Sequence, residues 1–383
     1  MNIQDHLHLF FTDFPSEPDA ALARGREIGL GNATVCEVAA WCWELDEQVR
    51  ALATRQGLNV ALMGGTAVQL RLQISEQRGS RDDDYLTDAT STQIQSLMAA
   101  LAQRFEALAP PYFRPEIKIP KSPIPGLALI TYEVAVPALL GHTDQSGVPK
   151  HVIKLEFHMV ERLPPIELVT GEVFALVKPV TSMIPTLAHQ LALKIVALAQ
   201  PPIGIPARRD DDIPKQIYDI DRLLHHVTSP DQWREFSRAV DETIADECRK
   251  ADVPNDIPLT RAGIHARLEC WANRDDPRIK QLTRDAGALA GWEMRAGIIA
   301  WACRARRIQY ALGCAGQSDG RDLWNHANVE AARLSTDPGA AWRELGAMWR
   351  AERDGEPPRS LKAFPRALLF EHLAARPDSP GSP

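Results

Sequence analysis

Between residues 33 and 56 the apolar positions Val35, Val38, Ala39, Trp41, Leu45, Val49 and Leu52 recur at helical spacing, which predicts a helix leading into the first strand. The run Leu58-Asn59-Val60-Ala61-Leu62-Met63 then reads as a short, mostly buried strand ended by Gly64-Gly65. Residues 66–74 return to helix and 83–87 fit a second strand. Residues 91–107, with Ile94, Leu97, Met98, Leu101 and Phe105, carry the 3.6 period of an amphipathic helix. β-Branched, partly alternating runs predict strands at 127–134 and 152–159 and a shorter one at 173–177. Beyond Pro185 the patterns are helical only, at 186–200, 213–227, 231–250, 258–273, 285–312 and 328–351. Strand and helix mixed, followed by helix alone, predict an α+β fold: a small mixed sheet flanked by helices, then an all-helical domain. The expected boundaries are 1–182 for the mixed domain with its N-terminal helix, 183–352 for the helical domain, and 353–383 for a Pro-rich, partly mobile tail.

Composition narrows the class. In 383 residues, 45% hydrophobic and 24% charged side chains are an ordinary globular balance, enough for two cores. No run reaches the roughly 18–20 apolar residues of a membrane span, and the start lacks a signal-peptide pattern, so the expected location is the cytoplasm. The six cysteines include no Cys-x-x-Cys pair, which argues against a disulfide framework or thiolate zinc site and for buried small hydrophobes. A formal charge of −7 gives no global attraction to nucleic acid, so any such contact must come from a local patch.

The chemistry gathers around Gly64-Gly65-Thr66-Ala67 and Arg78-Gly79-Ser80-Arg81-Asp82-Asp83-Asp84. A glycine pair between strand and helix lets backbone approach a phosphate, and the helix amides favour an anion; taken alone, a Gly-Gly turn is more often structural. On a strand, Asp82 and Asp84 share one face while Asp83 points away, and two carboxylates beside substrate phosphates are what Mg2+ requires. The plainer reading of three aspartates is a solvated acidic loop. Glu156, inside the apolar run 152–159, is the candidate third carboxylate for metal-assisted phosphoryl transfer, set against an edge-strand residue facing water. His158 shares its face.

Lys194 lies on the apolar stripe Leu187, Leu191, Lys194, Leu198 of its helix. It calls either for a charged partner, such as a triphosphate, or for an ammonium snorkelling to water. Asp219 falls opposite the stripe Ile213, Ile217, Ile220, Leu224, where periodicity predicts an exposed i,i+4 pair with Lys215.

Together these motifs resemble the AbiEii/AbiGii-type nucleotidyltransferase toxins, a group of the polymerase-β-like superfamily. Gly64, Gly65, Thr66, Ala67, Arg71, Leu72, Arg78, Ser80, Asp82 and Asp84 match its first signature. Leu191-Ala192-Leu193-Lys194 and Lys215-Gln216-Ile217-Tyr218-Asp219-Ile220 match its later one. Two departures stand out: Glu156 where aspartate is usual, and Lys215-Gln216 in place of Arg-Asp. The resemblance implies a polymerase-β-like core that transfers a nucleotide from an NTP to an acceptor hydroxyl, with Mg2+ or Mn2+ held by Asp82, Asp84 and Glu156. Gly64, Gly65, Thr66, Arg71, Arg78 and Ser80 would contact the triphosphate, Lys194 would balance phosphate charge, and Asp219 is carried by the motif as a catalytic residue. The implied acceptor is an RNA, often the 3′ end of tRNA, and the implied setting a toxin–antitoxin or phage-defence system with a cognate antitoxin. A protein or small-molecule acceptor, or a catalytically degenerate nucleotide-binding regulator, are the competing readings. The local candidate for an RNA surface is 292–310, where Trp292, Arg295, Trp301, Arg304, Arg306, Arg307 and Tyr310 mix cations with stacking groups; its alternative is an amphipathic helix with Trp inward and Arg outward.

Overall fold

The computed structural model describes residues 18–108, 116–118, 128–138, 149–176, 178–286, 297–315, 317–352 and 356–374. The described residues up to Thr186 form one compact unit, and those from Leu187 onward form a second.

The first unit opens with helices α1 (Pro18–Glu27) and α2 (Ala33–Gln56). Asn32 caps α2 by accepting from the Val35 amide, and Gly57 ends it in the left-handed conformation. Strand β1 (Val60–Met63) runs into the short helix α3 (Gly64–Gln69); β2 (Asp82–Thr87) and α4 (Ser91–Leu108) follow, then β3 (Glu116–Lys118), β4 (Leu129–Pro137) and β5 (Lys150–Met159). The five strands make one mixed sheet in the order β1-β2-β5-β4-β3, with β2 and β5 parallel and every other pairing antiparallel. One face packs on α2 and α4 through Tyr85, Tyr132, Leu155 and Phe157. Tyr85 stacks on Phe157 with centroids 5.0 Å apart. The Trp41 indole of α2 donates to the Pro137 carbonyl (3.1 Å), and buried His151 of β5 faces Glu37 of α2 at 3.1 Å, which fixes the helix on the sheet.

A separate antiparallel hairpin, β6 (Ile166–Gly171) with β7 (Val180–Pro185), closes the unit. The short strand expected at 173–177 is not one. Val173, Phe174, Ala175 and Leu176 instead form the buried turn inside this hairpin, and Phe174 gives its amide to the Gln77 side chain at 2.9 Å. An apolar run marked burial there, and burial alone does not distinguish a strand from a turn.

The second unit is helical: α5 (Leu187–Val196), α6 (Ile213–Leu223), α7 (Pro230–Lys250), α8 (Ile257–Ala272), α9 (Pro277–Ala286), α10 (Ile298–Ala315), α11 (Gly320–Leu334), α12 (Pro338–Glu352) and α13 (Pro365–Ala374). A capping box on Ser229 and Gln232 starts α7. Where one helix was expected over 328–351 there are two. Pro338 disfavours helical backbone at Asp337, whose carboxylate then caps α12 by accepting from the Ala340 amide at 2.9 Å. The helix expected at 285–312 divides into the end of α9 and α10, with 287–296 outside the described residues. The Pro-rich tail expected at 353–383 includes described residues 356–374. Leu361, Leu368 and Phe370 are buried, and α13 packs on α10; residues 375–383 lie outside the description. Five of the cysteines are buried as expected, while Cys270 is exposed. No helix among the described residues is long and apolar enough to cross a membrane.

Candidate functional site: an acidic face on the sheet

Strand alternation separates the three consecutive aspartates. Asp82 is exposed and Asp84 half-buried on the open face of β2, whereas Asp83 points into the core with no exposed surface. The parallel register sets Asp84 opposite Glu156 and Asp82 opposite Lys154. Because β5 lies between β2 and β4, Glu156 is not an edge residue. It is half-buried, and Thr131 of β4 reaches its Oε1 at 3.5 Å. Burial, then the negative charge of Asp84, push the Glu156 carboxyl above its usual range, against the opposing pull of His158. Ligand atoms of Asp84, Glu156 and His158 lie within 4.8 Å of one another.

The glycine turn is what gives Asp84 its place. Gly64 has φ +72°, and a Cβ there would fall 2.1 Å from Asp84 Oδ2. Only glycine combines that backbone with that approach. Over Gly65 sit the Arg78 guanidinium and the Ser80 hydroxyl, 2.8 and 3.0 Å from where a Cβ would be. The Thr66 and Ser80 hydroxyls both donate to the Asp82 carbonyl at 3.2 Å and so anchor the start of β2. Arg78 is buried and donates to the Gly79 carbonyl. Arg71, expected to contact the triphosphate, binds Glu167 (2.6 Å) and the Pro185 carbonyl (2.7 Å), tying the β6–β7 hairpin to the loop after α3.

Two positioning residues carried no signal in the sequence. Gln77, 1% exposed, donates to the carbonyls of Gln69, Leu72 and Glu172. Gln69 donates to the Arg78 carbonyl and accepts from the Trp43 indole. Both settle backbone groups that a buried irregular loop would leave unpaired. Nothing in residue type or spacing marks a glutamine for this task.

Behind the sheet, Asp83 faces Asp46, Cys42 and Tyr85, with the Cys42 and Thr66 side chains nearest its carboxyl but no well-formed hydrogen bond to either oxygen among the described residues. Burial, reinforced by the Asp46 carboxylate, holds its carboxyl well above the ordinary range and so favours its protonated form. Asp46 is itself buried and pairs with Arg50 at 2.7 Å.

In the helical unit, Lys194 is buried, and its Nζ is 2.8 Å from Asp219 Oδ2. The exposed Lys215–Asp219 pair expected from periodicity does not form: Lys215 binds Asp212 at 2.9 Å, and Asp219 has no exposed surface. The helical wheel assumed solvent opposite the apolar stripe, but α6 is covered on both sides, burying Tyr218, Asp219 and Asp221 as well.

The expected RNA surface is likewise interior. Trp301, Arg304, Arg306, Arg307 and Tyr310 are all buried in α10, while Trp292 and Arg295 lie outside the described residues. Arg307 donates to Asp221 and to Asn328 (3.2 Å), Arg304 stacks on Tyr218 and Trp301, and Arg306 pairs with Glu269 and Glu371. The outward-Arg alternative fails for the same reason, because acidic and aromatic partners on neighbouring helices accommodate these guanidinia inside the bundle.

The fold thus sets a carboxylate pair on parallel strands beside a glycine turn, in a small mixed sheet flanked by helices. A family model described as "Nucleotidyl transferase AbiEii toxin, Type IV TA system" matches residues 50–292, well over half the chain. The chain belongs to this AbiEii nucleotidyltransferase toxin family of type IV toxin–antitoxin systems. Among solved structures it is similar to one described as "Crystal structure of putative nucleotidyltransferase from H. pylori", at 16% identity and a TM-score of 0.30, covering 58% of this chain and 91% of that one. No curated protein matches.

Proposed function

We propose that the protein transfers a nucleotide from an NTP to the 3′ hydroxyl of an RNA, with tRNA the acceptor that the family suggests. The observation that carries the chemistry is the Asp84–Glu156 pair, brought face to face by the β2–β5 register beside a glycine whose missing Cβ makes room for Asp84. The acceptor oxygen attacks the α-phosphorus, the bond from that phosphorus to the β-phosphate bridging oxygen breaks, and pyrophosphate leaves. Glu156, made more basic by burial and by Asp84, orients the hydroxyl and takes its proton.

Asp82, Asp84 and Glu156 would hold Mg2+ or Mn2+. Their donor set fits such an ion, since they are oxygen ligands whose crowded negative charge a cation relieves. The bound metal supplies charge neutralisation and polarisation of the phosphates. The Gly64-Gly65 turn with Thr66, Arg78 and Ser80 cradles the triphosphate, and Arg71 steadies that loop through the hairpin. Lys194 and Asp219 enter on the family's later signature, with Lys194 countering phosphate charge and Asp219 holding the ammonium. A cognate antitoxin follows from the family, a role in phage defence from the resemblance, and a cytoplasmic site of action from the substrates.

The test is incubation of the protein with each α-labelled NTP, Mg2+ or Mn2+, and total RNA, followed by nuclease or protease before electrophoresis. Nuclease-sensitive label that disappears in Asp82→Ala/Asp84→Ala is the expected result. Label that survives nuclease but not protease would move the acceptor to protein, and label unaffected by the double variant would overturn the assignment of the site.

A further inference from the structure

We propose that His158 joins Asp84 and Glu156 as a direct cation ligand, giving a mixed nitrogen–oxygen site that selects a first-row transition ion, Mn2+ in the test below, over Mg2+. The inference rests on the nucleotidyltransferase reading of the acidic face and deepens it by naming the ion.

Alternation along β5 puts Lys154, Glu156 and His158 on the same open face as Asp84. Across the sheet His158 is level with Leu86 of β2 and Leu129 of β4, so its register neighbours are apolar and the carboxylates lie one step along the strands. The ligand atoms of the three side chains fall within 4.8 Å of one another. An octahedral ion with bonds near 2.1 Å places its ligands about 3.0 Å apart when adjacent and about 4.2 Å when opposite, so small side-chain rotations close the site.

The donor types decide the ion. Mg2+ takes oxygen ligands and keeps its waters, whereas imidazole suits the first-row transition ions. An aspartate at position 156 would have a shorter arm; glutamate lets the carboxylate reach toward Asp84 and His158 together. Thr131 at 3.5 Å from Glu156 Oε1 supplies an outer hydrogen bond of the kind that orients a ligating carboxylate. The competing role for His158 is an imidazolium paired with the carboxylates, which would repel a cation.

The full-length protein is titrated calorimetrically with MnCl2 and with MgCl2, and the Mn2+ form is examined by pulsed electron paramagnetic resonance for a directly bound nitrogen. We expect Mn2+ to bind at least about tenfold more tightly than Mg2+, a scale on which even outer partners of metal ligands act. Nitrogen coupling should appear in the wild type and vanish in His158→Gln, with the Mn2+ preference collapsing while thermal melting shows the variant folded. Absence of nitrogen coupling in the wild type, or its survival in His158→Gln, overturns the proposal. If Mn2+ affinity is instead unchanged in folded Asp84→Asn, the acidic face is not the cation site and the underlying reading fails as well.

Discussion

Replacing Gly64 with alanine probes the acidic face at its tightest point. The added Cβ would lie 2.1 Å from Asp84 Oδ2 and 3.0 Å from Asp84 Cγ. Even close carbon–oxygen contacts stay near 3.3 Å, so the carboxylate must retreat by about 1 Å. Gly64 also holds φ at +72°, a left-handed conformation that costs an L-residue roughly 1–2 kcal/mol. These two effects are separable, because Gly57 holds φ +67° with nothing within 4 Å of an added Cβ. Gly57→Ala and Gly64→Ala should therefore lose similar stability, roughly 1–2 kcal/mol, read from urea midpoints at constant slope. Only Gly64→Ala should also lose nucleotide transfer, by about 100-fold in single-turnover incorporation at saturating metal, the scale of a 1 Å misplacement. Folded Gly64→Ala with transfer within about threefold of wild type would refute the claim that the missing Cβ sets the working position of Asp84.

Three further outcomes follow from the buried charges. Asp83→Asn should keep transfer, since Asp83 faces the core, and should flatten the pH dependence of stability. The unfolded carboxyl ionises near 3.9 but the folded one well above it, so in the wild type this group erodes stability as pH rises from about 4, and a variant with the same slope in urea unfolding across pH would contradict a raised Asp83 carboxyl. Asp221 behaves oppositely: burial opposes its ionisation, but Arg307, Arg304 and Arg222 hold its carboxyl down at about 2. Its contribution of about 2 kcal/mol is present above the unfolded value near 3.9 and lost as pH falls through about 2, and Asp221→Ala at neutral pH should cost about 3–5 kcal/mol by leaving the arginines uncompensated; a loss under about 1 kcal/mol in urea unfolding would refute this. Asp219→Ala should destabilise the protein for the same reason, whereas Lys194→Met/Asp219→Leu should restore most of the stability and still lack transfer, and an active double variant would make the pair purely structural.

Periodicity located α2, β1, β2, α4, β4 and β5 of the first unit, because α2, α4 and the central strands each bury one continuous or alternating apolar set, while α1 and β3 were not predicted. It placed Asp82 and Asp84 on one face and Asp83 on the other for the same reason. It failed where an element is covered on all sides. In α6 and α10 most polar positions are buried against partners on neighbouring helices, so Asp219 and the arginines of α10 looked exposed when written on a wheel. The β6–β7 hairpin escaped notice because its outward positions, such as Leu168 at 65% exposure, are themselves apolar and hide the alternation. Gln69 and Gln77 escaped because their work is done on backbone carbonyls, which sequence patterns do not report.

The Asp82-Asp83-Asp84 run looked electrostatically unfavourable as three adjacent like charges, and the pleat resolves the difficulty by treating them as two sites. Asp83 lies on the core side, where burial favours its protonated form and so limits the repulsion it adds to its neighbours. The open face then carries Asp82, Asp84 and Glu156 against Lys154 and His158, and the Glu156 carboxyl is raised first by burial and then by the Asp84 charge. A cation binding there stabilises the ionised forms of Asp84 and Glu156 directly. It acts on Asp83 only indirectly, by offsetting the Asp84 and Asp82 charges that help raise that carboxyl. Metal binding should therefore release protons chiefly from the open face, because the pleat of β2 turns Asp84 toward the cation and Asp83 toward the core.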